Sequence, residues 1–289
     1  MSAFDPKRHV QKLTRNLQCV PGNLNYGSAR YGETGASMKH FLAFVFVTVQ
    51  ISASAFGQSA SDPEISVGGK LRCAMIAIRV LGGVAHPVCK FIADRLGVSV
   101  EPVSYSNPDA YAQSFGNGEW DVAIGPRVLV PVEKADITSD LWLIPLIYVA
   151  APGREFADAS QVDRPGVKIG TIQGSPSDRY LSHSVKSAEL VRIPLSAHIS
   201  ADVADLLRSG KADAFGADSG VSYPAADALS GAKIVSGAFN TVRVAAALPK
   251  GRSTLTQSRL EQLVDEAKQT GVVQNAIEQE GLKGVRVAE

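Results

Sequence analysis

The chain has 289 residues, 45% of them hydrophobic and 20% charged, with a formal net charge of +1. That composition excludes disordered, collagen-like and disulfide-scaffold classes, and the length allows one large domain or two lobes around a sizeable core. A near-neutral total leaves no electrostatic footprint for nucleic acid or an anionic membrane.

Residues 38–60 read MKHFLAFVFVTVQISASAFGQSA: Lys39 and His40, an apolar run from Phe41 to Val49, then small residues. The order is that of a secretory signal, and the apolar run is well short of the ~20 residues that span a bilayer. Ala53, Ala55 and Gly57 supply small residues for cleavage, so an export signal is expected over 38–57, cut near Gly57, with a soluble periplasmic product. A buried hydrophobic strand is the other reading of the run. Residues 1–37 lack periodicity and read as a disordered extension, or as an over-extended start with Met38 as the initiator.

Beyond Gly57 the chain carries 23 basic against 26 acidic residues, a net −3. No cysteine stands at the cleavage region to carry a lipid anchor. Cys73 and Cys89 fall in the first expected strand and helix; they read first as two buried apolar thiols, although an oxidising compartment permits a bond between them. Their spacing has no zinc signature, and no cofactor is expected.

Strands and helices then alternate. LRCAMIAI (71–78) is β-rich, and VAHPVCKFIADRLG has apolar residues at helical spacing and stops at Gly97. VSVEPVSY (98–105) alternates as a strand does, Asn107-Pro108 opens a helix, and DVAIG (121–125) is a short buried strand. LWLIPLIYVAAPG (141–153) is a long apolar β segment. The pattern repeats as VKIGTI, a helix opening at Ser175, ELVRIPL, a helix over about 201–209, DAFGA and KIVSG. RVAAALPKG (243–251) adds a strand, and 254–281 is helical. Such alternation implies βαβ units with parallel sheets covered on both faces. The expected fold is therefore α/β with two lobes, one from 66–150 plus 241–289 and the other from 151–240, joined by a two-strand hinge. Clefts at the ends of parallel strands are where such folds bind ligands.

Six segments, in order, resemble the bacterial extracellular solute-binding proteins of family 3. KFIADRLGVSVEPV is similar to the family's "akaiAkrLGvkve", FGNGEWDVAIG to "L.sGevDvai", and GVKIGTIQGSPSDRYL to "gkkVgvq.Gst.e.yl". LLRSGKADAFGADSGVSYPAA resembles "l..GrvDAvv.D...a.y", VRVAAALPKG resembles "ygiavpKg", and LRCAMIAI looks like the family's first strand. The resemblance covers about 69–285. It implies a type II periplasmic binding protein fold, a small-molecule ligand, a membrane permease of an ABC importer as partner, and a monomer that binds no nucleic acid.

By that resemblance Asp218 holds a ligand ammonium; by its place before SGVSYPAA it caps a helix, and two oxygens allow both. Gly174-Ser175-Pro176-Ser177-Asp178 is a strong helix start, whose free amides and dipole favour an anion. The resemblance gives Gly174, Ser175 and Ser177 a ligand carboxylate; the alternative is that Ser175 and Asp178 satisfy the cap themselves. The family's clamp Arg is missing, its place falling at Glu133 or a gap. Arg127 is a candidate replacement and Arg79 a second cleft cation; the plain alternatives are an exposed loop arginine for Arg127 and a solvent-exposed helix-entry arginine for Arg79. Trp120 and Trp142 read as core.

No GxSxG, HExxH, P-loop or GxGxxG occurs, and the five histidines are scattered. No catalytic residue is expected. Two other functions suit the same fold: a dehydratase-like periplasmic enzyme, for which Glu133 is the one unusual acid, and a sensor working with a membrane partner.

Overall fold

The computed structural model describes residues 65–289; the expected export signal at 38–57 and the segment 1–37 lie outside them. The chain runs β1 (Lys70–Ile76), α1 (Arg79–Leu96), β2 (Ser99–Tyr105), α2 (Pro108–Gln113), β3 (Val122–Pro126) and β4 (Ala135–Ala150). It continues through β5 (Lys168–Ile172), α3 (Pro176–Ser184), β6 (Glu189–Ile193), α4 (Ile199–Arg208), β7 (Ala214–Asp218), α5 (Ser219–Asp227) and β8 (Lys233–Ile234). Strand β9 (Asn240–Pro249) leads to α6 (Thr254–Gln269), α7 (Val272–Gln279) and β10 (Arg286–Val287). The α/β, two-lobed architecture expected from the sequence is what these elements build.

The strand order is β2-β1-β3-β9-β4-β7-β5-β6, with β8 and β10 paired to β4. β1 pairs parallel with β2 and β3, and β5 pairs parallel with β6 and β7. Each lobe is thus a three-strand parallel set closed by one antiparallel strand: β9 beside β3, and β4 beside β7. β4 and β9 also pair with each other from Ala135↔Pro249 to Leu146↔Asn240, and form the two-strand hinge. A large apolar core draws on residues 65–146 and 242–285, and two smaller ones on residues 148–235.

The two parallel sets share a device. Ahead of β3, buried Asp121 accepts the Arg72 N–H at 2.9 Å and returns its own N–H to the Arg72 carbonyl at 2.9 Å. Ahead of β7, buried Asp213 does the same with Lys168, at 2.8 Å in both directions. An arginine neutralises each acid: Arg72 bidentately on Asp121, with Nη2 at 2.7 Å, and Arg154 on Asp213 at 2.5 Å. The GEWD and GKAD segments therefore encode the same strand-locking corner in each lobe.

Three expected element boundaries change. The first helix begins at Arg79, not near Val84, so Arg79 to Gly83 is a helical turn and not a loop. Burial of Val80 and Leu81 offsets the roughly 1 kcal/mol that each of Gly82 and Gly83 costs in a helix. Gly82 is also required: a Cβ there would lie 2.7 Å from the Ile76 carbonyl oxygen. Strand β4 starts six residues before Leu141, because polar ADITSD finds an antiparallel partner in β9, with register shifts on either side of Asp140. The C-terminal helix divides at Gly271, which adopts a left-handed φ of +78°.

Cys73 and Cys89 are joined, with Cα atoms 6.1 Å apart, rather than lying as two free thiols. The strand and the helix that packs on it bring the pair within bonding reach. Closing a loop of this length stabilises a fold by about 3 kcal/mol. The Cys73→Ser/Cys89→Ser variant is expected to melt roughly 6–12 °C lower by circular dichroism. An unchanged melting temperature would show that the bond contributes nothing to stability.

Candidate functional site

The cleft lies beside the hinge, where the paired strands β4 and β9 pass from one lobe to the other. β4 passes Leu146 opposite both Asp218 of β7 and Asn240 of β9, so the end of β7 abuts the hinge. Two cavities open there. The inner one, of about 100 Å³, is walled by Ile78, Val80 and Leu81 at the start of α1, by Val128 and Val242, and by Gly174, Arg179 and Asp218 from the second lobe. The outer one, of about 410 Å³, shares Val128, Pro176, Arg179 and Val242 with it and adds Arg127, Tyr180, Asn240 and Arg243. Val80 lies against Gly220, and Arg179 reaches Asp109 across the cleft at 3.4 Å. That pair is exposed, and such pairs stabilise by no more than about 1 kcal/mol.

Asp218 ends β7 in extended conformation (φ −65°, ψ 158°) and caps α5, accepting the Gly220 N–H at 2.9 Å. Burial pushes its carboxyl above the ordinary aspartate value, outweighing the amides of Gly220 and Val221. Asp218 is half-buried, and four aspartates are fully buried: Asp121, Asp140, Asp178 and Asp213. Each is within salt-bridge distance of an arginine, Asp140 of two. Asp218 has no cation partner among the described residues. A carboxylate withdrawn from water without one is disfavoured, and it stands on the wall of a cavity that is otherwise almost wholly apolar.

The start of α3 is closed on itself. Gly174 takes a left-handed φ of +72° and donates its N–H to Asp178 Oδ2 at 2.9 Å. The Ser175 N–H donates to the Ile172 carbonyl at 3.1 Å, and Ser175 Oγ accepts the Asp178 N–H at 3.1 Å. Arg192 Nε donates to the other Asp178 oxygen at 2.8 Å. The carboxylate nearest these amides is therefore the protein's own. Gly174 lines the inner cavity; Ser175 and buried Ser177 line neither cavity.

Arg127 and Arg79 take different places. Arg127 lines the outer cavity, with Nε on Asp140 at 2.9 Å and Nη2 on the Thr138 carbonyl. Arg79 turns away, donating to the Glu280 carbonyl at 2.8 Å beyond α7, and lines neither cavity. So the structure brings Asp218, Gly174 and Arg127 to one cleft, and leaves Arg79, Ser175 and Ser177 outside its walls.

Arg179 and Arg243 were missed in the sequence. Arg179 sits in the first turn of α3 at a position that reads as solvent-facing, and Arg243 opens an apolar strand. The period-2 pattern of β9 is the one available signal, because it sends Arg243 to the opposite face from Val242 and Val244. Glu133 is exposed in the turn before β4 and lines neither cavity. Trp120 and Trp142 are buried as expected. Among the described residues no group of three or more His, Cys, Asp or Glu could hold a metal ion, and no helix is long and apolar enough to cross a membrane.

No protein-family model and no curated protein matches the chain. Solved structures do. A structure described as the solute receptor for L-cysteine of Neisseria gonorrhoeae superposes with a TM-score of 0.55 at 16% identity, over 76% of this chain and 96% of that one. An amino acid ABC transporter substrate-binding protein of Streptococcus pneumoniae bound to L-arginine gives 0.54 at 18%, over 75% and 96%. An ancestral amino-acid-binding protein, described as a precursor of cyclohexadienyl dehydratase, gives 0.53 at 19%, over 73% and 95%. At these identities the likeness establishes the fold.

Because the folded state holds the Asp218 proton more tightly than the unfolded chain, this group favours folding fully below its ordinary pKa of 3.8 and progressively less as pH rises through the raised value. Asp218→Asn keeps the cap, since Asn and Asp are equivalent N-caps. Thermal melts from about pH 4 to about pH 7 should show Asp218→Asn gaining on the wild type as pH rises. Parallel curves would mean that the carboxylate is not disfavoured.

Proposed function

We propose that this protein is an exported solute-binding receptor that closes its two lobes on a small amino acid-like molecule and delivers it to a membrane permease of an ABC importer. The ligand's ammonium faces Asp218, and its aliphatic portion fills the inner cavity. The observation that carries this reading is the lone Asp218: a carboxylate with no cation partner among the described residues, at the hinge, on an apolar wall. A ligand cation supplies the missing counter-charge and lets the carboxylate ionise in place, which couples binding to closure.

Magnitudes favour an aliphatic body over a densely polar one. An apolar cavity of about 150 Å³ accommodates a benzene-sized guest, so about 100 Å³ suits a short hydrocarbon stretch. A plain organic acid suits the inner cavity less well, because its carboxylate would meet Asp218. The fold likeness to structures described as amino-acid receptors supports a binding role. The dehydratase-like reading has no support from Glu133, which lies outside both cavities, and no observation favours a sensor.

Ligand at about a hundred times its Kd stabilises the bound form by about 2.7 kcal/mol, or roughly 5–11 °C for a chain of this size. Norleucine and hexylamine are expected to raise the melting temperature in a concentration-dependent way, and Asp218→Asn to abolish the rise. Absence of a shift with every amine-bearing compound, or an equal shift in the variant, would sink the assignment.

A further inference from the structure

An amino acid-like ligand also carries an acid, and the usual seat for it is already taken. At the start of α3 the Gly174 and Asp178 amides are bound by Asp178 and Ser175 side chains, and the Ser175 amide by Ile172. A ligand carboxylate there would lie beside the carboxylate of Asp178. The inner cavity offers no other place: its remaining polar wall is Asp218 and one edge of Arg179.

The outer cavity has the opposite character. Its charged lining residues are Arg127, Arg179 and Arg243, and no acid lines it. Arg179 meets Asp109 across the cleft, while the acid that holds Arg127 and Arg243 stands behind them. Asp140 is 6% exposed and accepts from the Nε atoms of both Arg127 and Arg243. Irregular pairing of β4 with β9 on either side of Asp140 places this acid between the two arginines. One carboxylate thus serves two guanidinium groups. Arg127 Nη1 and both terminal nitrogens of Arg243 donate no hydrogen bond among the described residues. Planar guanidinium forks with spare donors match a carboxylate bidentately.

We propose that the outer cavity is the anion subsite of the same cleft. If Asp218 takes the amine, as the reading above holds and on which this inference rests, the ligand carries amine and carboxylate at opposite ends of an aliphatic stretch. The chemical class is then an ω-amino acid, not an α-amino acid, in which both groups share one carbon. The stretch between them threads the waist formed by Val128, Pro176 and Val242.

Isothermal titration with 6-aminohexanoate, hexylamine, hexanoate and norleucine separates the two assignments. The wild type is expected to bind 6-aminohexanoate at least tenfold more tightly than hexylamine or norleucine. Arg243→Gln should remove that advantage and leave hexylamine unchanged, while Arg243→Lys, which keeps the charge, retains part of it. Melting of each variant without ligand checks folding; should Arg243→Gln fail to fold, Arg243→Lys supplies the comparison through its partial loss. If hexylamine binds and 6-aminohexanoate binds no better, or if its advantage survives both Arg243 variants, the anion subsite is overturned and the amine assignment stands. If hexylamine, norleucine and 6-aminohexanoate all fail to bind the wild type, both assignments fall.

Discussion

A carboxylate moved out of water is tolerated only when a cation or several donors replace the lost hydration. Five aspartates lie at the strand ends, the helix starts and the hinge, and compensation of their charge organises the molecule. Asp121 and Asp213, each with its arginine, fix the corner from which a parallel strand departs in either lobe. Asp178 with Arg192 fixes the entry to α3, and Asp140 with Arg127 and Arg243 fixes the rim of the cleft. The carboxylates are buried but their arginines are partly exposed, so each pair stabilises its corner by less than the roughly 3–5 kcal/mol at stake in a fully buried pair. Asp218 departs from the rule and stands at the hinge, where an external cation has access.

The passage of the paired strands β4 and β9 between the lobes turns this charge arrangement into a binding geometry. Because each strand completes the sheet of the lobe that it enters, the lobes cannot separate without breaking a continuous ladder. Val80 against Gly220 and the exposed Arg179–Asp109 pair are modest contacts. If the lobes close on a ligand as proposed above, contacts this modest would leave the equilibrium to be decided by what occupies the cleft.

Much of this was legible before any coordinates. Alternating hydrophobic patterns gave the strands and helices, and Ser175-Pro176 and Asp218-Ser219 announced their helix starts through cap chemistry that acts over three or four residues. The missing clamp arginine was visible only by comparison with the family that the sequence resembles. What stayed hidden depends on contacts between distant segments. The polar ADITSD stretch reads as a loop until β9 pairs with it. The Cys73–Cys89 bond depends on how α1 lies across β1. Arg179 and Arg243 carry no signal of their own, because a surface-spaced arginine in a helix and one at a strand end look alike whether or not a cavity lies beneath them. Arg79 shows the converse: its place after the first strand suggested the cleft, and its other reading, as the exposed residue that opens a helix, is the one that directs it to Glu280.

The disulfide also acts through leverage. Helix α1 is 18 residues long, and Cys89 lies ten residues beyond its first, Arg79. At 1.5 Å per residue the bonded point is about 15 Å from the tip that presents Val80 and Leu81 to the inner cavity. A tilt of about 4° around such a pivot moves the tip by about 1 Å, a large fraction of the radius of a cavity this small. The bond therefore acts as a fulcrum as well as a staple, and the angular stiffness that it gives α1 helps to set the width of the apolar wall facing Asp218.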